Sequence, residues 1–261
     1  YENLKNLFFN TVFKIDSYFE KKWVSSAKAI TSVSQGWTDN ISKFTQRPGY
    51  LVMNGFDEDD YKYENIKLYD EFTIVYNGTL YPSQPINVFL DAVKKIIDKY
   101  KNIIKIKIIF PGIIDNLYEA REIVASQISE SMNKYEENYQ LLGRIPKQEI
   151  VEMQLSSHIL LMVGHKDNHV KSVYSSKIFE YLACKKPILL CPGDDDVLDE
   201  LITSTNTGVI ANTSEQAYLF LDKSIKQYIK TAKIEYAPNI DEVQKYTRKK
   251  QVENLIKVIQ S

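Results

Sequence analysis

The feature that most constrains the fold is a regular alternation that begins at Phe72 and runs to Tyr228. Short apolar runs of strand composition are each followed by a stretch with apolar residues at three- and four-residue spacing. The strand-like runs are Phe72–Tyr76, Ile104–Phe110, Tyr139–Leu142, His158–Met162, Pro187–Cys191 and Gly208–Ile210. The helical patterns are Ile86–Lys99, Leu117–Met132, Lys147–Leu155, Ser176–Ala183, Asp196–Thr203 and Glu215–Tyr228. This alternation predicts an α/β domain with a Rossmann-like, mostly parallel sheet and helices on both faces.

Such a sheet also predicts where a ligand binds. Ligands of open parallel sheets lie outside the carboxyl ends of the strands, so the loops that follow the strands are the places to search. These loops are Asn77–Gln84, Pro111–Asn116, Gly143–Pro146, Val163–Ser175 and Pro192–Asp195.

One of these loops leads into the stretch Tyr174–Pro187, which contains most of the candidate ligand-binding groups. Ser175 and Ser176 open a predicted short helix, whose first backbone N–H groups and dipole form an anion site. Lys177 adds a cation at the same end. One turn later, the carboxylate of Glu180 is an acceptor for sugar hydroxyls. The stretch therefore predicts a site for an anionic, hydroxylated ligand.

Composition argues against several other classes of protein. The chain has 33 basic and 34 acidic residues in 261, a balance that does not favour a nucleic-acid partner. Its two cysteines, Cys184 and Cys191, have no CxxC spacing, which favours reduced thiols in a cytoplasmic protein. No apolar run has the length of a membrane span. The chain begins at Tyr1 in mid-pattern, and we expect it to be a piece of a longer protein.

The stretch Leu4–Trp23 has apolar residues at helical spacing, and it allows two interpretations. The first is a helix that packs on a core. The second is a membrane-surface helix, because Lys14, Lys21 and Lys22 flank aromatic residues. The second interpretation predicts peripheral association with the inner face of a membrane.

Metal sites are weakly supported. His165 and His169 are four residues apart in a stretch that does not look helical, so they are not expected to share a metal. The run Asp194–Asp196 contains an Asp-x-Asp pattern, but such clusters more often cap the helix that follows. No GxGxxG or P-loop motif is present. We therefore expect neither a metal nor a cofactor.

Several stretches, taken in their order and spacing, resemble the donor-binding half of retaining glycosyltransferases with the GT-B fold, in particular glycosyltransferase family 4. They are Ile30–Ser34, Met53–Asp57, Tyr76–Tyr81, Gly143–Pro146 and Ser175–Ala183, the last of them ahead of Lys186–Leu189. The resemblance covers most of the chain.

The resemblance implies roles for individual residues. Glu180 would bind the ribose of a nucleotide diphosphate sugar, and the remaining contacts fall into two groups. The donor and its diphosphate would meet Gly78, Thr79, Tyr174, Ser175, Ser176 and Lys177. The base would meet Gly143, Arg144 and Ile145. The catalytic residue stays unassigned, and such enzymes need no metal.

The chain departs from the family at charged positions. The first of the family's two motif glutamates lies eight residues before the second, and that position is Ser172. The phosphate-binding arginine and lysine of the family correspond to Thr79 and, approximately, Gln84. Charges that stabilise the leaving group are thus missing.

The resemblance also implies a domain organisation and partners. Residues 1–58 would be the tail of the N-terminal acceptor domain with a linker, residues 59–240 the donor-binding domain, and residues 241–261 a helix that returns across the boundary. The acceptor, a sugar or lipid-linked glycan of surface-polysaccharide synthesis, would bind the missing N-terminal domain. We expect this chain to bind donor but to transfer little by itself.

Two alternatives stay open. Sugar-nucleotide 2-epimerases share the fold, and His165 and Asp167 are candidates for their paired cleft residues. The missing charges at Ser172 and Gln84 instead favour a non-catalytic nucleotide-sugar binding subunit of a polysaccharide assembly complex.

Overall fold

A computed structural model describes residues 2–63, 66–114, 119–166 and 171–260. The chain divides into two compact units, one formed by residues up to 54 together with those from 251 onward, and the other by residues 55–250. The domain boundaries expected near residues 58 and 240 stay a prediction. Within the described residues, no helix is both long and apolar enough to cross a membrane.

The smaller unit contains a two-stranded parallel sheet. Its elements are α1 (Glu2–Val24), β1 (Ile30–Ser32), α2 (Gln35–Thr45) and β2 (Gly49–Leu51), with the end of the last helix of the chain. In that last helix, the Gln251 side chain accepts a hydrogen bond from the Met53 N–H at 2.8 Å.

The described side chains of α1, from Phe8 onward, are exposed or half-buried. Phe13 is 67% exposed and Trp23 is 75% exposed. Within this chain, these aromatic residues are therefore not part of a core.

The larger unit contains a six-stranded sheet in which every pairing is parallel. Its strands are β3 (Phe72–Val75), β4 (Ile106–Phe110), β5 (Tyr139–Leu141), β6 (Ile159–Met162), β7 (Ile188–Leu190) and β8 (Gly208–Ile210). Its helices are α3 (Asn87–Tyr100), α4 (Glu119–Ser131), α5 (Lys147–Ser156), α6 (Ser176–Cys184), α7 (Val197–Thr205), α8 (Ser214–Thr231) and α9 (Ile240–Gln244), and α10 (Arg248–Gln260) follows. The predicted Rossmann-like fold class is confirmed.

The core explains why the strands are apolar at consecutive positions. Every residue of β3, β6 and β7 is buried, so these strands have cover on both faces of the sheet. On one face, Phe89 of α3 and Leu221 of α8 belong to the same buried cluster as Ile74 and Leu161. Burial of each large apolar side chain contributes roughly 1.5–3 kcal/mol.

The strand order β5-β4-β3-β6-β7-β8 positions the site. From β3 the chain proceeds outward through β4 to β5 on one side, and from β6 through β7 to β8 on the other. The direction of winding reverses between β3 and β6, and the crevice at such a reversal is where ligands bind. The loops after β3 and β6, and the start of α6, meet at this point.

Candidate functional site

The loops after β3 and β4 touch through two glycines. Gly78 and Gly112 have φ angles of +87° and +80°, a region that favours glycine. The Gly78 N–H donates to the Pro111 carbonyl at 2.7 Å, and a Cβ added at Gly112 would lie 3.2 Å from the Cα of Gly78. Sequence reasoning missed Gly112, although a Pro-Gly pair directly after a strand-like run is a turn signal that points to it.

The loop after β5 continues this arrangement. The Gly112 N–H lies 3.0 Å from the carbonyl oxygen of Gly143 and 3.1 Å from that of Leu142. Beyond it, Arg144 is exposed and Ile145 is half-buried. The residues expected to contact a base thus lie in the loop after β5. The backbone of this loop is hydrogen-bonded to the loop after β4, which in turn touches Gly78.

The start of α6 faces the same edge of the sheet. Ser175 is the N-cap in extended conformation, and its hydroxyl makes no capping hydrogen bond. Ser176 is exposed. The Tyr174 ring lies 5.9 Å from the Phe179 ring, and burial raises the pKa of its phenol. Tyr174 therefore remains protonated beside the helix start.

Lys177, on α6, is hydrogen-bonded to the segment that follows β3. Its Nζ donates to the Tyr76 hydroxyl and to the Thr79 carbonyl, each at 2.8 Å, and lies 4.5 Å from the centre of the Tyr76 ring. Burial lowers the pKa of Lys177 to about 8, while the nearby charge of Glu180 acts in the opposite direction. The amine thus lies directly against the loop that contains Gly78, where a Cβ would meet its Cε at 3.0 Å.

Glu180 is half-buried, and two side-chain amides hold one of its oxygens. The Oε2 atom accepts from Asn77 Nδ2 at 3.2 Å and from Gln154 Nε2 at 3.3 Å. The Asn77 N–H donates in turn to the Tyr181 hydroxyl at 3.0 Å. Neither Asn77 nor Gln154 was predicted as a contact residue, although Asn77 begins one of the predicted ligand-binding loops.

Tyr61 lies close enough to this carboxylate for the negative charge to affect the pKa of its phenol. Burial is the main cause that raises the pKa of its phenol, and the negative charge of Glu180 raises it further. The phenol therefore stays protonated at neutral pH beside the carboxylate.

Gln84 and Ser172 are positions at which the sequence differs from the glycosyltransferase family that it resembles, and both make hydrogen bonds within the chain. Gln84 is buried; its Nε2 donates to the Val163 carbonyl at 2.6 Å, and its Oε1 accepts from the Tyr81 N–H at 3.0 Å. It links the loops after β3 and β6. Ser172 has a φ of +57°, and its N–H donates to the Asp196 carboxylate.

The Asp-x-Asp run caps α7, as expected. The Asp194 carboxylate accepts from the N–H groups of Asp196, Leu198 and Asp199 at 3.0–3.2 Å. Across residues 2–63, 66–114, 119–166 and 171–260, no group of three His, Cys, Asp or Glu side chains could hold a metal ion. The prediction that no metal is needed stays a prediction.

His165 lies at the same edge, with its Nδ1 3.5 Å from the Ser83 hydroxyl and its ring 5.9 Å from that of Tyr81. Asp167 and His169 are outside the described residues. A small cavity of about 60 Å³ lies beside His165, and Ser175, Lys177 and Asp194 also line it. A larger groove of about 510 Å³ runs along β8 and α8, away from the crevice between β3 and β6.

Solved structures share this architecture. A glycosyltransferase from Rickettsia africae superposes with a TM-score of 0.66 at 14% identity, over 91% of this chain and 65% of that one. HepE from Anabaena, in complex with UDP and glucose, gives a TM-score of 0.68 at 14% identity, over 94% and 67%. Sucrose-phosphate synthase from Thermosynechococcus elongatus gives 0.64 at 10% identity, over 95% and 61%.

The chain has a GT-B-type fold. It spans between 61% and 67% of the length of these three structures. No protein-family model matches the sequence, and neither does any curated protein. The fold places a helix start, an amine and a carboxylate at the ligand-binding edge of a doubly wound sheet, an arrangement that can bind an anion beside hydroxyl groups.

Proposed function

We propose that this chain is the donor-binding part of a retaining, metal-independent glycosyltransferase that uses a nucleotide diphosphate sugar. One observation carries the proposal: Lys177 and Glu180 lie about one helical turn apart on α6, at the reversal between β3 and β6. The amine and the helix start suit a diphosphate, and the carboxylate suits a ribose. Cations and backbone N–H groups fixed in this way stabilise the charge that develops on a leaving diphosphate.

The structural neighbours support a uridine nucleotide as the first donor to test. HepE structures are described with UDP, with UDP-glucose, and with UDP and glucose. For this chain, the Gly143–Ile145 loop is the proposed base contact and the Gly78–Thr79 loop the proposed phosphate contact. The acceptor, a sugar or lipid-linked glycan in surface-polysaccharide synthesis, belongs to the same proposal.

Direct binding tests this function. Isothermal titration calorimetry of the chain with UDP and with GDP is the measurement. At least one of the two nucleotides is expected to bind with a Kd between about 1 µM and 1 mM, the range typical of enzyme substrates. Uridine and guanosine are the controls, since they lack the diphosphate and should bind more weakly. The absence of binding by both nucleotides at millimolar concentration would contradict the proposal.

A second candidate function is a nucleotide-sugar binding subunit without transfer activity. It is favoured by Gln84, which lies approximately where the glycosyltransferase family that the sequence resembles has a lysine, and whose buried amide is committed to loop contacts. Sugar transfer by the full-length protein with its acceptor would exclude this candidate, whereas donor binding without turnover would support it.

Peripheral membrane association through α1 is a further part of the proposal. Phe8, Phe13 and Trp23 expose large apolar surfaces, and Lys14 and Lys21 supply positive charge for anionic headgroups. We expect the chain to sediment with vesicles that contain anionic phospholipid.

The double variant Phe13→Ser, Trp23→Ser is expected to reduce the vesicle-bound fraction at least about threefold, because it removes two apolar contacts with the lipid. Leu219→Ser, which changes an exposed apolar residue of α8, is the control and should bind as the unmodified chain does. Equal sedimentation of the double variant and the control would contradict the membrane role of α1.

A further inference from the structure

We propose that Gln154 and Asn77 are positioning residues that aim the Glu180 carboxylate at a ribose and thereby make the site selective for ribonucleotides over nucleotides without ribose hydroxyls. The inference rests on the proposed donor-binding function. It concerns two residues from different parts of the chain, one in the loop after β3 and one on α5.

The geometry at the carboxylate is asymmetric. Both amides donate to the same oxygen, Oε2, at 3.2 Å from Asn77 and 3.3 Å from Gln154. An ionised carboxylate has room for about four hydrogen bonds on its two oxygens. Two donors on one oxygen fix the plane of the carboxylate and leave Oε1 to accept from a ligand.

The chemistry of the surrounding groups sets the orientation of the Gln154 amide. A carboxylate only accepts, so the NH₂ end of the amide must face Glu180. At the other end, the Cys184 thiol donates to Gln154 Oε1 at 3.5 Å. Gln154 has no exposed surface, and its amide is therefore held at both ends inside the protein.

Asn77 is held in a similar way through its backbone. Its N–H donates to the Tyr181 hydroxyl at 3.0 Å, and Tyr181 is fully buried on α6 next to Glu180. The loop after β3 therefore keeps its distance from α6 even when the Asn77 side chain is changed. This makes Asn77→Ala a clean removal of one donor.

A purely structural role is the competing explanation. In that case the two amides tie α5 and the β3 loop to α6, and Glu180 serves only as their acceptor. The two roles make different predictions for ligands. A positioning role affects only contacts with the ribose hydroxyls, whereas a structural role affects the whole site and changes the affinity for all nucleotides together.

The test compares UDP with 2′,3′-dideoxy-UDP, and GDP with its dideoxy analogue, by isothermal titration of the 261-residue chain. The unmodified chain is expected to bind the ribonucleotide at least about tenfold more tightly, the effect of one hydrogen bond to a charged group. In the Gln154→Met and Asn77→Ala variants, the preference for the ribonucleotide over its dideoxy analogue is expected to fall below about threefold. Most of the change should come from weaker binding of the ribonucleotide.

Gln227→Met is the matched control. Gln227 Nε2 also donates to a glutamate carboxylate, that of Glu235 at 3.1 Å, but on α8 and away from the crevice. This variant loses the same kind of contact and should keep the selectivity of the unmodified chain. Because Gln154 is buried, Asn77→Ala decides the question if Gln154→Met does not fold.

Each outcome has a distinct meaning. Unchanged selectivity in the folded variants would overturn the positioning role. Tight binding of UDP or GDP by the unmodified chain with no preference for the ribose hydroxyls would also overturn it, while donor binding would stand. Failure of the unmodified chain to bind either ribonucleotide would overturn both the inference and the proposed function.

Discussion

Replacing Glu180 with glutamine is expected to weaken UDP binding by about 10- to 100-fold, because hydrogen bonds to a charged group contribute about 1.5–3 kcal/mol. The substitution keeps the size of the side chain but removes the charge that Asn77 and Gln154 hold in place. Isothermal titration measures the loss directly, with GDP tested in parallel.

Two controls separate this effect from misfolding. Glu215→Gln removes an exposed carboxylate from α8 and should leave the affinity unchanged. The thermal unfolding midpoint of Glu180→Gln should stay within a few degrees of that of the unmodified chain, because Glu180 is only half-buried. If Glu180→Gln binds UDP as tightly as the control does, Glu180 is not a ligand of the nucleotide.

The second large effect is expected at Lys177. Lys177→Met should weaken UDP binding by about 10-fold or more and leave the affinity for uridine within about twofold, since only UDP carries a diphosphate. Lys230→Met, which removes an exposed lysine from α8, is the matched control. Equal losses for UDP and uridine would show that Lys177 supports the loop structure rather than the phosphate.

The pH dependence follows from the same amine. The pKa of Lys177 in the free protein is lowered to about 8, and a bound diphosphate favours the protonated form. The affinity for UDP is therefore expected to fall as the pH rises above about 8, by at most about tenfold per pH unit. Lys177→Met should lose this dependence between pH 8 and 9, and a slope that persists in the variant would assign the titration to another group.

Much of the fold was predictable because apolar periodicity reports burial directly. The strand pattern at Phe72–Tyr76 matches β3, and the helical pattern at Ser176–Ala183 matches α6 to within one residue. Strand ends were less well predicted, as at Pro187–Cys191, where β7 covers only Ile188–Leu190. Pairing with a neighbouring strand, rather than local composition, decides where a strand ends.

The site was predictable only in part. Gly78 and Glu180 stand out from local sequence, because each lies where a strand or helix meets a ligand-binding loop. Gln154 does not stand out, since one buried amide on a short helix has no local signature. Its role depends on Glu180, 26 residues further along the chain, while Asn77 lies 103 residues before that glutamate.

The stretch Tyr174–Pro187 by itself determined a helix start with an amine and a carboxylate one turn apart, because helical spacing depends only on local sequence. The tertiary structure alone decided what surrounds them. It placed Lys177 against Tyr76, joined the loops after β3 and β4 at Gly78 and Gly112, and put two amides on one oxygen of Glu180. Such contacts depend on which strands become neighbours, and strand order is a property of the whole packed sheet.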